Sequence, residues 1–265
     1  MNRLAVSEFV RIINTIDQSK HRSEVFRDFC ELAFCALAKN ASPFEEQRQK
    51  LEAQYMAVVA RYRDKDEVRK MPDLMGIALP QLANGGCDFF GVLAGELNVL
   101  DAKMGQFFTP YHVSRLMAEI TLSDATTLIE QKGFITLDEP AAGAGGMVLA
   151  CADFIERQGH DLETSLWVEA TELSQSTFHM CYVQLAARGL AGKVFHGNTL
   201  SMKMQSYAYL PATPLFLAKH GDPFKDQREE QKHQAEQEAK FVKERELTKF
   251  ETIPKVNAAT QLKLF

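Results

Sequence analysis

The sequence predicts an α/β protein in which a sheet of parallel strands follows a region made only of helices. In the first hundred residues, apolar side chains recur at the three- and four-residue spacing of helices. From residue 101 onward, short apolar runs alternate with helical segments, which is typical of parallel strands joined by crossover helices. A segment rich in Gln, Glu, Lys and Arg follows at 222–252 and predicts a solvated, charged helix.

The helical region, predicted as a subdomain over residues 1–100, opens with two amphipathic helices. Apolar residues at helical spacing place them around 9–16 and 25–32, the second with Ser23 as N-cap. A third helix is predicted with Ser42 as its cap and Pro43 at its first helical position. The polar residues of this helical region show no spacing typical of a catalytic site, so we interpret the region as a structural scaffold.

The sheet is predicted within residues 101–221. The predicted strands are 134–137, 166–171, 193–196 and 215–217. Helices are expected at 147–155 and 175–188. Each of the first three strands runs into polar or glycine-rich residues, which indicates ligand-binding loops at the carboxyl edge of the sheet.

The amino-acid composition indicates which classes of protein the chain can belong to. The 265 residues are 46% apolar and 25% charged, and no apolar run approaches the roughly 20 residues that cross a bilayer, so a cytoplasmic globular protein without a membrane segment is expected. Five scattered cysteines without a C-x-x-C pair predict reduced core residues and no metal site. The formal net charge of −5 argues against nonspecific binding of nucleic acid, so DNA contact would need a basic patch or a partner.

The glycine-rich turn EPAAGAGG at 139–146 is the main candidate for a ligand site, because glycines between a strand and a helix let backbone amides approach a ligand. A dinucleotide fingerprint would need glycine where Val148 stands, which disfavours NAD. Glu172 closes the second strand, where an acid can accept both hydroxyl hydrogens of a ribose. Asn198 closes the third and can hydrogen-bond an adenine edge. The alternative interpretation is that the turn is only a tight connection between a strand and a helix and binds no ligand.

Four motifs in order resemble those of DNA adenine-N6 methyltransferases, and most closely the modification subunits of type I restriction systems. They are GQFFTP at 105–110, EPAAGAGG at 139–146, TEL at 171–173 and GNTL at 197–200. Ahead of them, DFFG at 88–91 is similar to a further segment of that family. The resemblance implies a Rossmann-like methyltransferase fold with a partial or shortened parallel sheet.

The resemblance also implies S-adenosylmethionine (SAM) as the cofactor. It places Glu172 at the ribose and Asn198 near the adenine, where the family usually has Asp. The residues that it places around the methionine part of SAM are Phe107, Phe108, Thr109, Glu139, Pro140, Ala141, Gly143 and Gly145.

Methyl transfer to adenine N6 requires a flipped base whose amino hydrogens meet acceptors. The family supplies these with an Asn or Asp, two prolines and an aromatic residue, and this tetrapeptide is not intact here. The nearest candidate is Asp222–Pro223–Phe224, with one proline, after the predicted strand at 215–217. Its alternative is a turn that caps the charged helix. Two functions therefore stay open: a SAM-dependent DNA adenine-N6 methyltransferase or a subunit of one, and a catalytically inactive SAM-binding partner, regulator or decoy in restriction and modification.

The chain after residue 221 is short for the remaining strands of a complete sheet. An open sheet edge predicts a homo- or hetero-oligomer, with DNA reached through or with a partner subunit. A loose tail is predicted at 253–265. Its last residues, with Gln261, Leu262, Leu264 and Phe265, resemble the peptide that binds the replication sliding clamp, although a terminus packed on its own domain explains them equally well.

Overall fold

The computed structural model describes residues 2–99, 108–225 and 228. The chain divides into two compact units, Met1–Gly221 and Asp222–Phe265. The first unit contains both the early helices and the sheet. Most of the predicted charged helix and all of the predicted tail lie outside the described residues. In the part of the chain that is described, no helix is long and apolar enough to cross a membrane.

Residues 2–99 form helices, as predicted. They are α1 (Arg3–Ile13), α2 (Arg22–Ala41), α3 (Glu45–Ala60), α4 (Lys65–Val68), α5 (Met71–Ala83) and α6 (Phe89–Glu96). The predicted cap of α2 is wrong, because His21 Nδ1 accepts the amide N–H of Ser23 and caps the helix itself. The predicted start of α3 is also wrong. Ser42 Oγ accepts the amide of Phe44 at 3.2 Å in a turn that lies ahead of the helix.

Phenylalanine side chains join α1, α2 and α6. Phe9, Phe26, Phe29, Phe89 and Phe90 are buried, and neighbouring ring centroids lie 5.3–6.3 Å apart, mostly edge to face. Aromatic pairs of this geometry stabilise a core beyond the area that they bury. The cluster therefore fixes the start of α6 and the polar residue that precedes it.

The second half of the unit alternates helices and strands. Its elements are α7 (Tyr111–Thr121), α8 (Ala125–Lys132), β1 (Ile135–Glu139), α9 (Gly146–Arg157), α10 (Leu162–Ser165), β2 (Leu166–Glu172), α11 (Gln175–Ala187), β3 (Ala191–Asn198), β4 (Lys203–Tyr209) and α12 (Thr213–His220). The strand order is β1-β2-β3-β4. The first three strands are parallel, as predicted, and β4 runs antiparallel to β3.

The predicted strand at 215–217 is wrong, since these residues lie in α12. Pro214 stands in the first turn of that helix, where its missing N–H costs no hydrogen bond. Phe216 packs on Trp167 of β2 and on Phe134, at ring-centroid distances of 5.2 and 5.1 Å. His220 lies against Phe134 at 5.0 Å, so α12 returns the chain to the amino end of β1.

Candidate cofactor site

The turn between β1 and α9, residues 140–145, is tied to the carboxyl ends of the neighbouring strands. The amide of Gly143 donates to Glu172 Oε2 at 3.0 Å, which joins the turn to the end of β2. The hydroxyl of Thr199, directly after β3, donates to the carbonyl oxygen of Pro140 at 2.7 Å. Three strand ends therefore converge on this turn, where parallel sheets place their ligands.

Two glycines of the turn have backbones that disfavour side chains. The φ angles of Gly143 and Gly145 are +57° and +96°. A Cβ on Gly143 would also lie 3.2 Å from the ring of Phe108. Because glycine has no Cβ and tolerates a positive φ angle, the backbone at residue 143 can lie close to the Phe108 ring.

A cavity of about 250 Å³ lies beside the turn. Its walls come from the turn, the start of α9, the segment before α7 and the residue before α6. The lining residues are Asp88, Phe108, Thr109, Glu139, Ala141, Ala142, Gly143, Ala144, Gly146 and Met147. Five of the eight residues predicted around the methionine part of SAM are therefore brought together here.

The other predicted residues lie at the margin of the cavity or beyond it. Pro140 and Gly145 belong to the turn without lining the cavity, and Phe107 lies outside the described residues. Glu172 accepts the amide of Ser174 through Oε1 at 2.7 Å, in addition to its bond with the turn. Asn198 Oδ1 accepts the amide of Ser201 at 3.0 Å, so it is engaged in a local turn. Neither Glu172 nor Asn198 lines the cavity, and their ligand roles stay predictions.

Of the remaining candidate site residues, only Asp222, Pro223 and Phe224 lie in the described part of the chain. Asp222 Oδ1 accepts the amide of Phe224 at 3.0 Å, and the same carboxylate pairs with Arg228, as a residue that caps a turn would. The catalytic role of Asp222, Pro223 and Phe224 stays a prediction. The clamp-like residues 261–265 lie outside the described part of the chain. Within that part, no group of three or more His, Cys, Asp or Glu side chains could hold a metal ion.

The structure adds two polar residues to which the sequence assigned no role, Asp88 and Gln184. Asp88 caps α6, and its Oδ1 accepts from the amide of Gly91 and from Gln184 Nε2, both at 2.8 Å. Gln184, fully buried on α11, also donates to the carbonyl oxygen of Ala144 at 2.7 Å and accepts from the amide of Phe90 at 3.0 Å. One amide thus connects α6, α11 and the turn. Asp88 begins the DFFG segment that resembles the family, whereas a single glutamine in an apolar helical segment was the only sequence signal for Gln184.

The acidic residues of the cavity favour a ligand that carries a positive charge. Among the described residues that line it, Asp88 and Glu139 are acidic and none is Lys, Arg or His. Burial raises the pKa of the Asp88 carboxyl above its ordinary value, and the bonds from Gln184 and Gly91 oppose that effect. Among the described lining residues, an anionic pyrophosphate would meet no cation, whereas a positively charged group would meet an acid. The methionine part of SAM carries two positive groups, the ammonium and the sulfonium, and one carboxylate, so its net positive charge fits these acids.

A family model for N-6 DNA methylases matches residues 91–254, which is more than half of the chain. The chain belongs to the N-6 DNA methylase family. This confirms the resemblance inferred from the four motifs, the Rossmann-like α/β fold and SAM as the cofactor. Residues 108–147, which supply all but one of the described residues lining the cavity, lie inside the segment matched to N-6 DNA methylases, whereas Asp88 lies three residues ahead of it.

Among solved structures, this N-6 DNA methylase family member is similar to a protein from Listeria monocytogenes described as a class I S-adenosylmethionine-dependent methyltransferase. The two chains are 12% identical, with a TM-score of 0.36. The alignment covers 83% of this chain and 70% of that chain. Among proteins with curated functions, none matches.

Proposed function

We propose that the chain acts as a SAM-dependent DNA adenine-N6 methyltransferase, alone or as a subunit, in restriction and modification. The observation that carries this proposal is the acid-lined cavity, all of whose described lining residues except Asp88 lie inside the segment matched by the family model. Bound SAM supplies a methyl group made electrophilic by its sulfonium. The proposed setting is the cytoplasm, and the proposed substrate is adenine in DNA.

The chain's own residues would hold the cofactor from several sides. The positive φ angle of Gly143 and its lack of a side chain let the turn lie close to the Phe108 ring, and both residues line the cavity. Each oxygen of Glu172 accepts one backbone amide, which orients the carboxylate and leaves lone pairs for ribose hydroxyls. Asn198 uses Oδ1 locally, so its amide N–H groups remain for an adenine edge.

Replacing Glu172 with alanine is expected to weaken SAM binding on the order of 100-fold, because hydrogen bonds to a charged acceptor are lost. Calorimetric titration of purified protein measures this. Glu169→Ala is the matched control: Glu169 lies on the same strand, 4.0 Å from Lys193, and does not line the cavity. Unchanged affinity in Glu172→Ala would contradict the ribose role, and absence of SAM binding by the unaltered protein would contradict the proposed function.

Catalysis is tested by transfer of a radiolabelled methyl group from SAM to unmethylated DNA. The proposal expects label in N6-methyladenine, and Asp222→Ala is expected to abolish it if Asp222 accepts the target amine. Label that persists in Asp222→Ala would remove Asp222 from the site. Binding of SAM without transfer, with candidate partner subunits added, would contradict an active enzyme.

We also propose that the chain associates with a second copy or a partner subunit through the edge of β1. This strand ends the described sheet, so one row of its backbone groups is left for pairing. Helix α7 packs on α9, which covers β1 and β2. It bears exposed Leu116, Met117 and Ile120, the last 70% exposed. An open strand edge and an exposed apolar helix surface are both features of protein interfaces.

The Leu116→Lys and Ile120→Lys double variant is therefore expected to shift the protein toward monomer. Light scattering at micromolar concentration measures the mass before and after the change. Leu4→Lys, at an exposed apolar position on α1, is the control and should leave the mass unchanged. A monodisperse monomer in the unaltered protein, with no partner bound, would contradict the association. The interaction of Gln261–Phe265 with a sliding clamp also stays a proposal, supported by the sequence alone.

A further inference from the structure

Of the described residues that line the cofactor cavity, Asp88 alone comes from the helical region. It is 6% exposed, although it carries an ionisable carboxyl group. Its backbone directly precedes α6, whose first two residues, Phe89 and Phe90, belong to the buried phenylalanine cluster. The carboxyl group is therefore held in place by the core and not by a mobile loop.

The two carboxyl oxygens of Asp88 have different surroundings. Among the described residues, both hydrogen bonds to this side chain end on Oδ1, from Gly91 and Gln184. A Cβ on Gly91 would lie 2.0 Å from Oδ2, so a side chain three residues after this aspartate would displace the carboxylate from its present position. A Cβ on Gly146 would lie 3.0 Å from Oδ2, so this oxygen lies against the first residue of α9. Two glycines thus make room for Oδ2 at the wall of the cavity.

Glu139, the other acid of the cavity, is arranged differently. Its Oε1 accepts the amide of Ala141 at 3.1 Å, within its own turn, and it is less buried than Asp88. A buried carboxylate with an oxygen left over is costly unless a cation or donor meets it. An ammonium group supplies both, since it carries a positive charge and three N–H donors.

We propose that the carboxylate of Asp88 receives the α-ammonium group of SAM. This inference rests on the proposed function, because it assigns a partner to one end of the cofactor. It extends the site to the helical region, since an acid ahead of α6 completes a cavity otherwise built by the sheet and its loops. Gln184 acts as a positioning residue, because it bonds both Asp88 and the turn.

Three ligands separate the contributions of Asp88 in calorimetric titrations. SAM carries the ammonium and the sulfonium, S-adenosylhomocysteine carries only the ammonium, and 5′-methylthioadenosine carries neither. Asp88→Asn keeps an oxygen acceptor and a good helix cap while it removes the charge. This variant is expected to lower the affinity for SAM and for S-adenosylhomocysteine by the same factor, roughly 10- to 100-fold. Its affinity for 5′-methylthioadenosine should stay within about twofold of that of the unaltered protein.

Asp161→Asn is the matched control, because Asp161 caps α10 through the amide of Glu163 and does not line the cavity. Asp88→Ser is a second variant that caps without charge, and it should reproduce the pattern of Asp88→Asn. Equal weakening of all three ligands in both Asp88 variants would overturn the inference, since Asp88 would then act only as a cap. Weakening of SAM alone would move the contact to the sulfonium and overturn it as well.

If Glu139→Gln lowers the affinity for SAM and S-adenosylhomocysteine and Asp88→Asn does not, the ammonium contact belongs to Glu139 and the inference is overturned. The failure of the proposed function has a separate signature. If the unaltered protein binds none of the three ligands, SAM binding itself fails and the inference falls with it. If the unaltered protein binds SAM and only the Asp88 variants disagree with expectation, the proposed function stands and the inference alone fails.

Discussion

Replacing Arg188 with methionine is expected to lower the free energy of unfolding by about 3–5 kcal/mol. The Arg188 side chain is 4% exposed. Its guanidinium lies 3.2 Å from Asp153 Oδ1, pairs with Glu156 and donates to the carbonyl oxygen of Ala83 at 3.2 Å. Methionine replaces the apolar stem but leaves the carboxylate of Asp153, itself nearly buried, without its cation.

The change should also reach the cofactor site, because Asp153 binds the turn between α5 and α6. Its Oδ2 accepts the amide of Gly86 at 2.6 Å and the hydroxyl of Tyr111. A Cβ on Gly85 would lie 2.3 Å from Asp153 Oδ1, so the turn sits directly on this carboxylate. Asp88 follows two residues after Gly86. We therefore expect Arg188→Met to weaken SAM binding even where the protein is still folded.

Urea denaturation of both proteins at neutral pH measures the loss of stability. Arg157→Met is the matched control, because Arg157 forms a half-exposed pair with Glu119 at 3.2 Å, and such pairs contribute about 1 kcal/mol or less. A loss below about 1 kcal/mol in Arg188→Met would show that Asp153 is solvated or neutral after the change, contrary to a buried, charge-dependent junction.

The early helices, three strands and the glycine turn could be predicted because their signals are local. Apolar spacing defines the helices, and the glycines follow β1 at once. The two errors in the sheet have different causes, and the first is that short apolar runs do not distinguish helix from strand. Residues 215–217 are such a run in α12, whereas β4 is an exposed edge strand whose polar residues hide its pairing. Pro214 was the overlooked signal for a helix start.

The polar residues that complete the site could not be predicted because their partners are distant in sequence. Gln184 contacts Asp88 across 96 residues, and Arg188 contacts Ala83 across 105. Neither side chain has a local sequence pattern that identifies its partner, since Gln184 is a single polar residue among buried apolar ones on α11 and Arg188 caps the carboxyl end of that helix. Only the docking of the helical region onto α9 and α11 brings these groups together.

A second large effect is expected from pH, through His179 on α11. This side chain is 3% exposed, and its ring stacks on Phe34 with a centroid distance of 4.7 Å. Burial lowers the pKa of His179 to about 3, with smaller contributions from the positive charges of His196 and Arg61. The folded protein therefore keeps this imidazole neutral in mild acid.

The sign of the effect follows from the two pKa values of His179. An unfolded histidine titrates near pH 6.5, so between about pH 6.5 and 3 the unfolded chain binds a proton that the folded chain does not. Stability present above pH 6.5 is thus lost as the pH falls, at roughly 1.4 kcal/mol per pH unit. The loss should reach roughly 2–3 kcal/mol by pH 4.5 from this one group.

His179→Leu is expected to remove this slope, because leucine can pack on Phe34 and has no proton to bind. The measurement is the difference in free energy of unfolding between variant and unaltered protein, from urea titrations at pH 7.0, 5.5 and 4.5. That difference should move in favour of the variant as the pH falls, since all other groups titrate in both proteins. His112→Gln, at an exposed position on α7, controls for the loss of a histidine elsewhere. A difference for His179→Leu that stays constant across this range would mean that the buried imidazole takes up a proton in the folded protein as readily as in the unfolded chain, contrary to this prediction.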